Sequence, residues 1–337
     1  MTNSVKVFAP ISIGNLSVGF DSLGMAVKTI DGPLLGDYVS IQAATTTRLE
    51  MTGCYVDRLP TAIEENIVWH CLQNFHAQLE KIGKPTQELH ITLQKDIPVS
   101  SGLGSSACSV VAALLALNEF YDQPFNENEL LAMMAEEEGK ISGSIHYDNI
   151  APCYLGGIQL MTPKHSEPCV ALPELEGVYW IMAYPDILVS TRAAREILPS
   201  EFSRQVTIEF AQNLASFVSA AIRHDTPMAL AHLTDVLVEP YRQDLLPNYA
   251  QHKIALKELG CQAVGISGSG PTIFATATDI EVARQAKAYL SEHYLTNNSL
   301  TNNNLTNNNL SESNSANSGS FVHICCTDND GARKISD

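Results

Sequence analysis

The chemistry in this sequence begins with a run of small residues: Pro98, Val99, Ser100, Ser101, Gly102, Leu103, Gly104, Ser105, Ser106, Ala107 and Cys108. Before it, Leu89, Ile91 and Leu93 alternate with His90, Thr92 and Gln94, the period of a strand with one buried face. After it, Val110, Val111, Ala113, Leu114 and Leu117 predict a helix apolar nearly all round, whose N-terminus packing must fix. Such a helix start offers free N–H groups and the positive end of the dipole to an anion. Gly102 and Gly104 let the backbone close around a ligand, and Ser105 and Ser106 add hydroxyls that reach a phosphate oxygen or a metal ion. The stretch reads as a phosphate cradle. A P-loop would need Gly-Lys-[Ser/Thr], and no lysine follows Gly104. A dinucleotide fingerprint fits Gly102, Gly104 and Ala107 formally, but requires a second parallel strand where this chain continues with another helix pattern, Asn126 to Gly139. On this loop alone, a plain strand-to-helix turn also stays open.

Other candidates are scattered. Glu136, Glu137 and Glu138 close the Asn126–Gly139 helix, where three carboxylates near the negative end of the dipole hint at a bound cation. His146, Asp148 and Asn149 fall within four residues. Asn15 and Asp21 are the polar groups of a Gly/Ser/Asn-rich loop after a short strand over Val5 to Phe8, where turn capping is their simplest use. Arg195 and Arg242 sit beside proline-terminated helices in the second half, Arg195 equally readable as half of a surface salt bridge. Gly268, Ser269 and Gly270 make a turn between two strands.

Three of these stretches, SVKVFAPISIGNLSVGFDSLG, PVSSGLGSSA and GISGSGPTIFA, resemble in order and spacing the three motifs of the GHMP kinases. Within that family the likeness is greatest to the homoserine kinase branch, and Ile11-Ser12, in place of a lysine after Pro-Gly, argues against the mevalonate branch. The resemblance implies ATP and Mg²⁺ as cofactors, the loop from Pro98 to Cys108 on the ATP phosphates, and Ser106 with Glu138 as catalytic residues and metal ligands. It implies a small-molecule substrate, L-homoserine, phosphorylated on its hydroxyl for threonine biosynthesis. Asn15, Asp21, His146, Thr191, Arg195 and Arg242 would bind that substrate: the arginines its carboxylate, Asn15 and Asp21 its ammonium and hydroxyl end. Another small charged alcohol as substrate, or a ligand sensor without catalysis, stays open. So does the role of Asp148, which aligns with a base used by mevalonate kinase. The sequence leaves the oligomeric state open, a homodimer being compatible with it.

The elements that must position these residues imply an α+β two-domain fold. Residues 1–165 would form an N-terminal ribosomal-S5-like αβ domain that binds ATP. Residues 166–337 would form a C-terminal ferredoxin-like domain, because a strand at Val178, helices, strands at Ala263–Ile266 and Thr272–Ala277, a helix and FVHICC follow the split βαβ order. In that half the pattern predicts helices over Thr191–Phe217, broken at Pro199, over Pro227–Val238 and over Tyr249–Leu259, and a Thr278-x-x-Glu281 capping box. Residues 295–320 read as a low-complexity insertion, its leucines recurring every five residues. The 337 residues, 45% hydrophobic, suffice for two cores, and a net charge of −17 disfavours nucleic acid and anionic membrane as partners. An anionic substrate then needs a locally positive pocket. No signal peptide or long apolar run stands out, so the expectation is a soluble cytoplasmic protein. The eight cysteines lack metal or disulfide spacing and read as reduced core residues.

Overall fold

The computed structural model describes residues 4–162, 167–295 and 319–335, leaving aside the side chains of 141 and 142. The proposed domain boundary at 165 and nearly all of the low-complexity insertion lie outside the described residues. The chain opens with β1 (Ser4–Pro10), β2 (Ser12–Gly14), β3 (Leu23–Thr29), β4 (Gly36–Ala43) and β5 (Arg48–Thr52). Then come α1 (Ile67–Lys81), β6 (Leu89–Gln94), α2 (Ser105–Phe120), α3 (Glu127–Ser142), α4 (Ile150–Leu155), β7 (Ile158–Met161) and β8 (Cys169–Leu172). The second half holds β9 (Tyr179–Tyr184), α5 (Thr191–Glu196), α6 (Arg204–Ile222), α7 (Thr226–Ala231), α8 (Glu239–Arg242) and α9 (Tyr249–Glu258). It finishes with β10 (Ala263–Ile266), β11 (Ile273–Ala277), α10 (Ile280–His293), β12 (Phe321–Thr327) and β13 (Arg333–Lys334).

Two sheets carry these elements. The first runs β13-β1-β4-β6-β5, antiparallel except for the parallel pair β5–β6, which α1 connects. The second runs β10-β11-β9-β12-β3-β7-β8, with β2 beside β3. Its first four strands, all antiparallel neighbours, have the ferredoxin-like order. The sheet does not stop there: β12 pairs with β3, Cys325 opposite Thr29, so the first half of the chain supplies the strands beyond it. No described helix is long and apolar enough to cross a membrane.

The organising pair forms as its periodicity predicts. On β6, Leu89, Ile91 and Leu93 are buried while the alternate residues are half-buried. Helix α2 buries thirteen of its sixteen residues against β1, β4, α1 and α3. Each large aliphatic side chain so buried contributes about 1.5–3 kcal/mol, so the start of α2 is a rigid point.

Other expectations need correction. Gly139 does not end α3: the helix runs to Ser142, and Gly143, at φ 87°, is its left-handed cap. Glu136 to Glu138 therefore lie inside the helix, where the dipole argument for a cation does not apply, and Glu137 is fully buried. The Thr191–Phe217 stretch is broken around Pro199 as expected, into α5 and α6, but α6 continues past Phe217 to Ile222. α7 ends at Ala231, because Asp235 accepts from the N–H groups of Leu237, Val238 and Glu239 and so starts α8 instead. Asp279, one residue after Thr278, caps α10 by accepting from Glu281 N–H. The segment after Ile11 is not all loop, since β2 and β3 form a hairpin there.

Candidate active site

A cavity of about 400 Å³ opens between the phosphate cradle, the β2–β3 turn, α3 and the helices of the second half. Val99, Ser100, Ser101, Gly102, Gly104, Ser105 and Ser106 line it, as do Asn15, Glu138, His146, Asp148, Asn149, Thr191, Arg195, Arg242, Gly268 and Ser269. Pro98, Leu103, Ala107, Cys108 and Gly270 are not in the lining. Neither is Asp21, which reaches it through Arg195.

The cradle is held from behind by the third motif. Ser267 Oγ donates to the Gly102 carbonyl at 2.7 Å, and Thr272 donates to the Ser101 carbonyl from both N (3.1 Å) and Oγ1 (2.7 Å). Gly102 is at φ 79°, and a Cβ there would run into the Ser267 carbonyl; Gly104 is at φ 66° and caps α2 where a Cβ would meet Ser12 Oγ. Only glycine fits both positions. The Ser101 hydroxyl is buried with no hydrogen-bond partner among the described residues, a cost that an incoming acceptor would relieve.

Beneath the cradle lies a group that pattern reading missed. Lys95, 1% exposed, donates to Asp37 Oδ2 (2.5 Å), the Ser105 carbonyl (2.8 Å) and Ser109 Oγ (3.0 Å). Asp37 Oδ1 accepts from the N–H groups of Asp96 and Ile97. This buried pair ties β4, the end of β6 and the first turns of α2 together. Its signal was present in the phase: Lys95 continues the inward face of Leu89, Ile91 and Leu93, and Asp37 that of Val39 and Ile41. Arg58 and Asn66, which also line the cavity, were missed as well.

Ser106 Oγ donates to Glu138 Oε1 at 2.7 Å. Burial pushes the Glu138 carboxyl up to about 7, with Asp148 adding to the rise and the Ser106 bond opposing it. Among the described residues no cluster of three or more His, Cys, Asp or Glu forms a metal cage. A hydroxyl and one carboxylate nevertheless suit Mg²⁺, a hard cation that completes its shell with phosphate oxygens and water.

The arginines line the same cavity. Asp21 accepts from Arg195 Nη2 (2.8 Å) and Nη1 (3.2 Å), and His146 Nδ1 stands 3.6 Å from Asp21 Oδ1. Burial keeps His146 below the usual histidine range, against the pull of Asp21. Asn15 accepts from Asp21 N–H and donates to the Gly268 carbonyl, so its amide serves the turn, in which Asn15, Leu16 and Ser17 follow one another at φ 68°, 43° and 53°. Arg242 is 3% exposed; its Nε donates to the Ala194 carbonyl (3.0 Å) and its Nη1 to the Gly268 carbonyl (3.1 Å). It has no ion-pair partner among the described residues. Burial and then the neighbouring Arg195 lower its pKa to about 10. Burial, followed by the nearby Asp21 charge, pushes Asp148 up to about 7. Thr191 Oγ1 and Ser269 Oγ are 3.3 Å apart at the rim.

The cavity therefore offers a cradle suited to phosphate and, beside it, two arginines suited to a second anion. Residues 66–157 match the N-terminal domain of GHMP kinases, and residues 217–295 their C-terminal domain. A homoserine kinase from Cytophaga hutchinsonii has a similar structure, with 32% identity and a TM-score of 0.82 over 99% of this chain and 98% of that one. A putative homoserine kinase from Listeria monocytogenes matches at 20% identity and TM-score 0.67, covering 99% of each chain. Phosphomevalonate kinase from Streptococcus pneumoniae matches at 14% and 0.66, over 87% of this chain and 96% of that one. The chain belongs to the GHMP kinase family, whose members are ATP-dependent phosphotransferases.

Proposed function

We propose that this enzyme transfers the γ-phosphate of ATP to the hydroxyl of L-homoserine, giving O-phospho-L-homoserine for threonine biosynthesis. The observation that carries this reading is Arg242, a nearly buried guanidinium facing the cavity without a carboxylate partner. A substrate carboxylate would supply that partner, and a neutral sugar would not. Arg195, already held by Asp21, would share the carboxylate from the other side, with Thr191 at the rim. The His146–Asp21–Asn15 corner would face the ammonium and hydroxyl end.

In this reading the N–H groups at the start of α2 and the Ser101 hydroxyl hold the phosphates of ATP. Ser106 and Glu138 would hold Mg²⁺, which when bound neutralises polyphosphate charge. Phosphoryl transfer asks for positioning and charge stabilisation more than covalent help. The substrate hydroxyl, aligned between Asn15 and the cradle, attacks in line, and its proton can pass to the transferred phosphate. ADP release should be measured across homoserine, homoserine carboxamide, mevalonate, galactose and shikimate. Homoserine should lead by at least about tenfold in kcat/KM over its carboxamide. Equal use of the two would refute the carboxylate reading.

A further inference from the structure

We infer that Phe20 is a positioning residue of the anion site, its ring giving Arg195 and Arg242 a shared π face that holds both guanidiniums toward one ligand. This rests on the carboxylate reading above. Arg195 Cζ lies 5.6 Å and Arg242 Cζ 5.5 Å from the Phe20 ring centroid, each over the ring. Both distances fall within the range in which the negative face of an aromatic ring attracts a cation. Two guanidiniums at one cavity wall repel, and Arg195 is the leading charge that opposes protonation of Arg242. Something must offset that repulsion while the cavity is empty.

A second carboxylate could do so, as Asp21 does for Arg195, but it would occupy the N–H donors that a ligand needs. A ring stabilises the charge without taking a donor. Arg242 shows the result: Nε and Nη1 are committed to backbone carbonyls, and the charge carries no carboxylate. Phe20 is itself well placed. Half-buried, it precedes Asp21 in the turn braced by Asn15, and its carbonyl accepts from Ser22 Oγ at 3.1 Å. One turn thus carries both a charged and an uncharged hold on the arginine pair.

The test replaces Phe20 in the full-length enzyme with mono-, di- and trifluorophenylalanine, which keep the shape of the ring and progressively weaken its negative face. KM for homoserine should rise stepwise with fluorine number to roughly 2- to 30-fold above wild type. The KM for ATP should stay within about twofold, because the arginines that the ring faces donate to Asp21, Ala194 and Gly268 and not to the phosphate cradle. Phe20→Trp should retain affinity and Phe20→Leu should lose it. A flat KM across the fluorine series, with homoserine still phosphorylated, overturns the role of Phe20 and leaves the substrate reading standing. A wild-type enzyme inactive on homoserine but active on a substrate without a carboxylate overturns both.

Discussion

Replacing Arg242 with leucine separates the cost of the empty site from its use. An arginine whose pKa falls from 12.5 to about 10 carries roughly 3 kcal/mol of disfavoured charge in the folded protein. Leucine removes that cost, and with it two charge-assisted hydrogen bonds to the Ala194 and Gly268 carbonyls, each worth about 1.5–3 kcal/mol. The opposing contributions are of similar size, so the melting temperature should shift by only a few degrees. Substrate binding has no such compensation. Losing one partner of a charge-assisted pair costs about 1.5–3 kcal/mol, which raises KM for homoserine roughly 10- to 150-fold. Arg242→Lys should recover little, because an ammonium cannot span both carbonyls and a ligand. Arg195→Leu should differ by also stranding the Asp21 carboxylate, lowering the melting temperature as well as affinity. The assays are initial rates at saturating ATP and thermal melting with and without homoserine. If Arg242→Leu binds homoserine within twofold of wild type, the buried charge is not there for the substrate and the reasoning fails.

Ser106→Ala and Glu138→Gln should each lower kcat on the order of 10²-fold or more, with less effect on homoserine KM; near-normal turnover in steady-state assays would remove this pair from the chemistry. Lys95→Met should destabilise the protein by about 3–5 kcal/mol, as read by urea unfolding, since it strands Asp37 in the interior; adding Asp37→Asn should restore part of the loss. Asp148 has a folded pKa of about 7 against an ordinary 3.8, so between those values the folded state binds the extra proton. Its stabilising contribution is present below about pH 4 and is lost as pH rises through 7. Melting temperature without ligands should therefore fall from pH 5.5 to 8, and Asp148→Asn should reduce that slope, Glu138 carrying the rest; an unchanged slope would mean Asp148 titrates normally.

The cradle and its flanking strand and helix were legible because periodicity reports burial directly, and five of the six proposed substrate residues line one cavity, with Asp21 behind Arg195. What stayed hidden depends on tertiary partners. Nothing in the spacing of Asp21 and Arg195 shows that they pair, or that Phe20 lies under both arginines. Gly139 looked like a helix end, but α3 is held by its packing and continues to a better cap at Gly143. Lys95 and Asp37 were readable in principle, as charges in phase with apolar faces, yet each lies at a strand end where a pattern is usually cut off. β3 follows a Gly- and Ser-rich stretch, and only its pairing with β12 on one side and β7 on the other reveals it as a central strand.

That pairing bears on how the chain is made. During synthesis β1 emerges early, but one of its two neighbours in the sheet is β13, and β3 waits in the same way for β12. Until those late strands leave the ribosome, each early strand keeps an open row of N–H and C=O groups, the kind of edge that recruits strands from other chains. Closing both sheets requires contacts across nearly the whole sequence, which makes the last folding step slow. A nascent chain stalled after β8 would thus hold two unfinished sheets, and its yield in a cell should depend more on chaperone supply than the stability of the finished enzyme suggests.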